Sequence, residues 1–113
     1  MNRDGTKALR QTKLNAATNV FLESLNGGPL TFGQLLSAQR EAEEASVSQF
    51  AAKLGVSRQH LHQLENGQKR VSPERAVRFA RLLGQSETFY LQLALQDLAN
   101  DSGISAHIEV RVA

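Results

Sequence analysis

A glycine between two short apolar stretches limits the fold of this 113-residue chain more than any other feature. Gly55 can adopt the left-handed backbone conformation that turns a chain sharply after a helix, and Ser57 can cap the helix that follows. Val56 fills the corner between them. Apolar residues flank this corner at helical spacing, with Phe50, Ala51 and Leu54 before it and Leu61 and Leu64 after it. The pattern therefore predicts two short helices that pack across a tight turn.

Hydroxyl residues recur where helices need an N-cap, and they divide the rest of the chain into further helices. Thr31 followed by Gln34 has the form of a capping box, and the helix that it begins is expected to run to about Ala45. Later helices are predicted to begin at Ser48, Ser57, Ser72 and Ser86. Gly84 is expected to end the helix that begins at Ser72, since glycine is favoured just past a helix end.

The two ends of the chain differ from its middle. Residues 1–13 are polar and basic, which predicts a disordered tail, and an amphipathic helix follows from about Leu14 to Leu25. After Gly103, apolar and polar residues alternate, which predicts one half-buried strand. Its apolar residues are Ile104, Ala106, Ile108, Val110 and Val112.

A lone strand leaves backbone donors and acceptors unpaired, and no other segment of the chain has the pattern of a partner strand. We therefore expect the strand to pair with a second copy of the chain. Under a two-fold axis at Ile108, His107 would face Glu109 of the other copy and Ala106 would face Val110.

These elements predict an all-α bundle of five to six helices with a short C-terminal β-strand. Three parts are expected: a tail and accessory helix at 1–29, a helical domain at 30–84 that contains the Gly55 turn, and a C-terminal helix and strand at 85–113 that dimerise. The predicted dimer residues are Phe89, Tyr90, Ile104, Ala106, Ile108 and Val110, and Phe89 and Tyr90 could equally belong to the core.

Composition argues against several classes of function. The sequence contains no cysteine, which excludes disulfides, thiolate metal sites and cysteine nucleophiles. The side chains of His60 and His62 would diverge on a helix, so a metal site is not expected. The sequence shows no convergent set of acid and base residues, so neither an enzyme nor a cofactor is expected. No apolar run reaches the ~18 residues of a membrane span, and the first residues lack the apolar centre of a secretion signal. A cytoplasmic location is expected.

Positive charge is concentrated in the middle of the chain. The formal charge is +2 overall, yet residues 47–84 alone carry seven Lys and Arg against two Glu. Local basic charge suits contact with a polyanion, although it can also be an ordinary solvated face. For Arg75, Arg78 and Arg81, which recur at a step of three, both interpretations remain open.

The helix after Gly55 has an outward face suited to the edges of DNA bases. Guanidinium groups match the acceptors of guanine, and side-chain amides match the mixed donor and acceptor of adenine. Lys69, Arg70, Asn66 and the amide of Gln49 could hold phosphates. His60 could reach the groove or pack against the preceding helix. The predicted DNA-binding residues are Gln49, Ser57, Arg58, Gln59, His60, His62, Gln63, Asn66, Lys69 and Arg70.

A family resemblance rests on this same stretch. The run Ser48-Gln49, Ala51, Leu54-Gly55-Val56-Ser57, Leu61, Leu64-Glu65 and Asn66-Gly67 resembles the lambda-repressor-like helix-turn-helix of the Xre family. The resemblance covers about residues 30–84, and residues 72–93 more narrowly resemble antitoxins of the HigA and VapI type. It implies a homodimeric regulator, expected to be a repressor, that binds an inverted-repeat operator in double-stranded DNA. The alternative that it implies is an antitoxin that neutralises a ribonuclease toxin and represses its own operon.

Overall fold

Five helices make up the part of the chain that the computed structural model describes, residues 30–112. They are α1 (Phe32–Ala42), α2 (Val47–Leu54), α3 (Arg58–Glu65), α4 (Pro73–Leu83) and α5 (Glu87–Asp101). The predicted helical bundle is thus confirmed over this range. The predicted tail and accessory helix at 1–29 lie outside the described residues.

Each of the five helices begins at a hydroxyl residue whose side-chain oxygen accepts the backbone N–H three residues on. The predicted caps Thr31, Ser57, Ser72 and Ser86 are confirmed. The prediction for Ser48 is wrong, because α2 is capped by Ser46. Ser46 Oγ accepts from the Gln49 N–H at 3.1 Å, and Gln49 Oε1 accepts from the Ser46 N–H at 2.9 Å. This reciprocal pair satisfies two amides at the helix start, which a cap at Ser48 could not do.

Two helix ends show how the backbone leaves the helical conformation. Helix α1 ends at Ala42 rather than near Ala45, and Glu44 turns the chain with a φ of 55°. Gly84 ends α4 with a φ of 66°, as predicted. Both residues occupy the left-handed region, which Gly adopts at no steric cost and other residues adopt rarely.

The core is formed by one apolar side of every helix. Phe50, Leu36, Leu61 and Phe79 are fully buried at its centre. Helix α5 packs along α4 and also reaches α1, where Tyr90 meets Phe32 edge to face with ring centroids 5.6 Å apart. Tyr90 is 1% exposed and therefore belongs to the core of a single chain. No helix of the described residues is long and apolar enough to cross a membrane.

The Tyr90 hydroxyl is buried and has no hydrogen-bond partner among the described residues. Burial raises the pKa of Tyr90 well above its ordinary value, because the charged form would be poorly solvated there. A buried, unpaired hydroxyl costs about 1–3 kcal/mol.

We expect the Tyr90→Phe variant to be at least as stable as the wild type, with a gain of about 1 kcal/mol, because it removes this hydroxyl and keeps the ring. Urea unfolding followed by circular dichroism measures the change. Tyr90→Leu is the control, since it also removes the ring contact with Phe32 and should lower stability. A loss above about 1 kcal/mol in Tyr90→Phe would show that the hydroxyl is bonded in solution.

The predicted C-terminal strand is absent from residues 104–112 of the single chain. A strand needs a partner strand, and no other described segment pairs with this backbone. Side chains of α5 bond to it instead. Gln96 Oε1 accepts from the Ile108 N–H at 2.7 Å, and Gln92 Oε1 accepts from the Val110 N–H at 3.0 Å.

Candidate nucleic-acid interface

The corner between α2 and α3 is built as the sequence predicts. Gly55 follows α2 with a φ of 72°, and its N–H donates to the Ala52 carbonyl at 3.2 Å. The Val56 N–H donates to the Ala51 carbonyl at 3.0 Å, and its side chain packs against the core. Ser57 Oγ then accepts the His60 N–H at 3.0 Å. These bonds close α2, turn the chain and start α3 within three residues.

Helix α3 has one buried and one exposed side. Leu61 and Leu64 are buried, whereas Arg58, Gln59 and His62 are exposed. Gln63 is half-buried. The side chains of Arg58, Gln59 and Gln63 make no hydrogen bond or ion pair with any described residue. Their donors are thus available to a ligand.

The one carboxylate of α3 is held away from this exposed side by Arg40 of α1. Arg40 Nε donates to Glu65 Oε2 at 2.9 Å, and Arg40 Nη2 donates to Glu65 Oε1 at 3.1 Å. Arg40 Nη1 also donates to the Ala45 carbonyl. The hydrogen bonds to Glu65 raise the pKa of Arg40 further above its already high value. The exposed side of α3 therefore presents donors without a competing negative charge.

The C-terminal end of α3 carries a second polar contact. Asn66 Nδ2 lies 2.9 Å from His62 Nε2, and the Asn66 N–H donates to the His62 carbonyl at 3.0 Å. Both side chains are exposed. The structure thus brings these two predicted DNA-binding residues together in one turn of helix.

The imidazole of His60 on α3 approaches a guanidinium of α4. Arg75 Nη1 of α4 is 3.5 Å from His60 Nε2. Burial lowers the pKa of His60, and the positive charges of Arg75 and Lys69 lower it further. Arg75 has no carboxylate partner among the described residues. The sequence left the role of Arg75 open. The packing of α4 brings Arg75 next to His60, and the two residues are here called the His60–Arg75 cluster.

Gln49 near the start of α2 and Lys69 after the end of α3 are both exposed. Gln49 Oε1 accepts from the Ser46 N–H, which fixes the orientation of the side chain. The Nε2 hydrogens of Gln49 make no hydrogen bond to a described residue. Lys69 is exposed and makes no ion pair with a described residue. Both residues keep donors that could bind an anion at the protein surface.

Arg70, the last of the predicted DNA-binding residues, is directed to α5. Arg70 Nε and Nη2 donate to the two carboxylate oxygens of Asp101 at 2.7 Å and 2.8 Å. Its Nη1 lies 3.3 Å from Asp97 Oδ2. The structure therefore does not place this guanidinium with the free donors of α3.

Asp97 links three parts of the bundle from a position that is 4% exposed. Its Oδ2 accepts the Phe32 N–H at 3.1 Å, at the start of α1, as well as the Arg70 guanidinium. Burial raises the pKa of Asp97, while the Phe32 N–H and the Arg70 charge act in the opposite direction. Sequence reasoning missed this residue, because a buried Asp cannot be told from a solvated one without the tertiary packing.

Residues 31–88, just over half of the chain, match the family model of a helix-turn-helix domain. No curated protein and no solved structure matches the chain. The matched family is broader than the Xre, HigA and VapI types, so those narrower assignments and the toxin partner stay predictions. Two short helices joined at a glycine corner, the second with a free polar side, agree with the match. The chain belongs to the helix-turn-helix domain family.

Proposed function

We propose that this protein is a transcription regulator that binds specific sites in double-stranded DNA by placing α3 in the major groove. One observation carries the proposal. The donors of Arg58, Gln59 and Gln63 on α3 have no partner in the described part of the chain, while Arg40 binds the helix's only carboxylate. Such a surface suits base edges, which offer acceptors to guanidinium and amide groups.

Base contacts are assigned to the free polar side chains of α3. Arg58 at the helix start would donate to O6 and N7 of guanine, and Gln59 and Gln63 would each bond to N6 and N7 of adenine. A well-formed bidentate pair discriminates against a wrong base by about 1–3 kcal/mol. His62 and Asn66, already joined to each other, lie at the far end of the same surface.

Phosphate contacts are assigned to side chains around α3. The candidates make no contact with a carboxylate of the described residues. They are Gln49 Nε2, Lys69, Arg75 and His60 of α3 itself. Contacts of this kind fix the register and orientation of the protein without discriminating between bases. We give Arg70 the different role of positioning α5, because Asp97 and Asp101 already neutralise its charge.

The regulator would act as a homodimer that represses by covering a promoter. A two-fold axis would place two α3 helices about 34–36 Å apart, which matches an inverted repeat with half-sites about 10 bp apart. The alternating residues 104–112 support this assembly, since their backbone has polar groups left for a partner.

Arg58→Ala and Gln63→Ala should each lower the preference for a selected site over a scrambled duplex by about five- to 150-fold, the equivalent of one lost bidentate pair. Lys69→Ala should instead weaken both duplexes alike and reduce the slope of log affinity against log salt by about 0.9. Fluorescence anisotropy titrations at several salt concentrations measure both quantities.

Arg81→Ala is the matched control for Arg58→Ala, because it removes the same charge from an exposed position on α4 that pairs with Glu87. It should leave the preference for the site unchanged. Equal discrimination by the Arg58→Ala variant and the wild type would remove Arg58 from the base contacts.

A further inference from the structure

Residues 104–112, here called the C-terminal segment, run back along α5 and are held there by two glutamines. Gln96 makes two bonds to the segment: its Nε2 donates to the Ala106 carbonyl at 2.7 Å and its Oε1 accepts from the Ile108 N–H at 2.7 Å. Gln92, one helical turn earlier, accepts from the Val110 N–H at 3.0 Å. Side chains of one helix thus bind the backbone of the segment at successive positions.

The spacing of these bonds shows that the segment is extended. One helical turn from Gln96 to Gln92 covers about 6 Å, and two extended residues from Ile108 to Val110 cover about 6.6 Å. Burial follows the same period, because Ala106, Ile108 and Val110 are half-buried and the residues between them are exposed. The amide of Gln96 also bonds on both sides of His107, as a residue of a neighbouring parallel strand would.

The other edge of the segment is free. In extended backbone, the N–H and C=O of one residue point to one edge, and those of the next residue point to the opposite edge. The glutamines occupy the edge of the even-numbered residues. The backbone groups of Ser105, His107, Glu109 and Arg111 have no partner among the described residues.

We propose that this free edge pairs in antiparallel fashion with the same edge of a second copy, with the two-fold axis at Ile108. The inference deepens the homodimer of the proposed function by naming its surface and register. His107 and Glu109 of the two copies would then exchange backbone hydrogen bonds, and their side chains would be opposite and charge-compatible.

The exposed apolar residues favour this register. Ile104 and Val112, which are 58% and 80% exposed, are the most exposed large apolar residues of the described chain, and the two-fold axis at Ile108 places them opposite each other. Ala106 then meets Val110 and Ile108 meets its own copy. All five apolar residues of the segment are thereby paired along one face.

The neighbouring registers are less favourable. An axis at Glu109 would place two carboxylates opposite each other and would no longer pair Ile104 with Val112. An axis at His107 would place two imidazoles opposite each other and leave Val112 beyond the paired region. Like charges directly opposite destabilise a strand pair, whereas the axis at Ile108 pairs apolar residues with each other and His107 with Glu109. The axis at Ile108 is therefore preferred.

Cysteine crosslinking of the full chain tests this register, since the natural sequence has no cysteine. Across the axis, the two Cα atoms of residue 108 would be about 4.5 Å apart, within the range of a disulfide. Residue 112 would be about 26 Å from its own copy. Mild oxidation should therefore convert Ile108→Cys to a covalent dimer, while the more exposed Val112→Cys should remain uncrosslinked.

A second variant tests the free edge without a new thiol. His107→Pro removes an N–H that would bond to the partner and leaves the groups bonded to Gln96 intact. Sedimentation equilibrium should show a dimer for the wild type and at least a tenfold larger dissociation constant for His107→Pro. Equal crosslinking at 108 and 112, or an unchanged dissociation constant, would overturn the pairing.

These outcomes separate the pairing from the proposed function. If the wild type binds DNA selectively but Ile108→Cys does not crosslink, the pairing is wrong and the DNA-binding proposal stands. If Ile108→Cys crosslinks specifically but the wild type shows no site preference, the pairing stands and the DNA-binding proposal is wrong.

Discussion

Replacing Gly33 by alanine is expected to destabilise the protein by about 3 kcal/mol, the upper part of the range for overpacked positions. In a solvent-exposed helix the same change would stabilise by about 1 kcal/mol, because alanine is the better helix former. Here α1 crosses the end of α3 at Gly33. An added Cβ would lie 2.3 Å from the Leu64 carbonyl oxygen and 2.8 Å from that of Glu65.

Those carbonyl oxygens belong to the backbone of α3, so the helices must move apart to admit the methyl group. We therefore expect the loss of stability to be accompanied by weaker DNA binding, since α3 is the proposed recognition helix. Urea unfolding and anisotropy titration measure the two effects.

Gly67→Ala is the matched control, because a Cβ there meets nothing within 4 Å although its φ is 75°. It should cost only about 1 kcal/mol of backbone strain. A Gly33→Ala variant as stable as the wild type would show that α1 and α3 are not in this close contact.

Replacing Arg40 by methionine is expected to cost about 3 kcal/mol, because Glu65 would keep a carboxylate that is 9% exposed and has lost its partner. Lys53→Met is the matched control. It breaks the more exposed pair with Glu43 and should cost less than about 1 kcal/mol.

A double variant separates the net contribution of this ion pair to stability from the cost of removing one of its partners. Arg40→Met with Glu65→Leu removes both charges and should recover most of the loss, since a buried pair can be replaced by apolar residues at little cost. If Arg40→Met alone unfolds at the same urea concentration as Lys53→Met, the Arg40–Glu65 pair does not hold the end of α3.

Local signals in the sequence account for most of the helix boundaries. A cap such as Ser72 and a turn such as that at Gly55 depend on hydrogen bonds between residues only a few positions apart, so the sequence alone predicts them. The error at Ser48 has the same local origin. Ser46 and Gln49 are spaced as a capping box, and this local signal favours Ser46 over Ser48 as the N-cap.

Contacts between distant residues could not be predicted in the same way. Arg40 and Glu65 are 25 residues apart, and Phe32 and Asp97 are 65 apart. The close approach at Gly33 likewise depends on how α1 crosses α3. Alternation after Gly103 indicated an extended backbone, yet nothing in that pattern indicated that glutamines of α5 would occupy one of its edges.

Selection of bound sites from random duplex DNA by the full chain tests whether α3 contacts base edges. The proposed homodimer predicts enrichment of an inverted repeat with half-sites about 10 bp apart, and the proposed base contact of Arg58 predicts the loss of preference at one position of each half-site in the Arg58→Ala variant. Recovery of random sequences by the wild type, with an affinity that depends on salt alone, would contradict the assignment of α3 as the recognition helix.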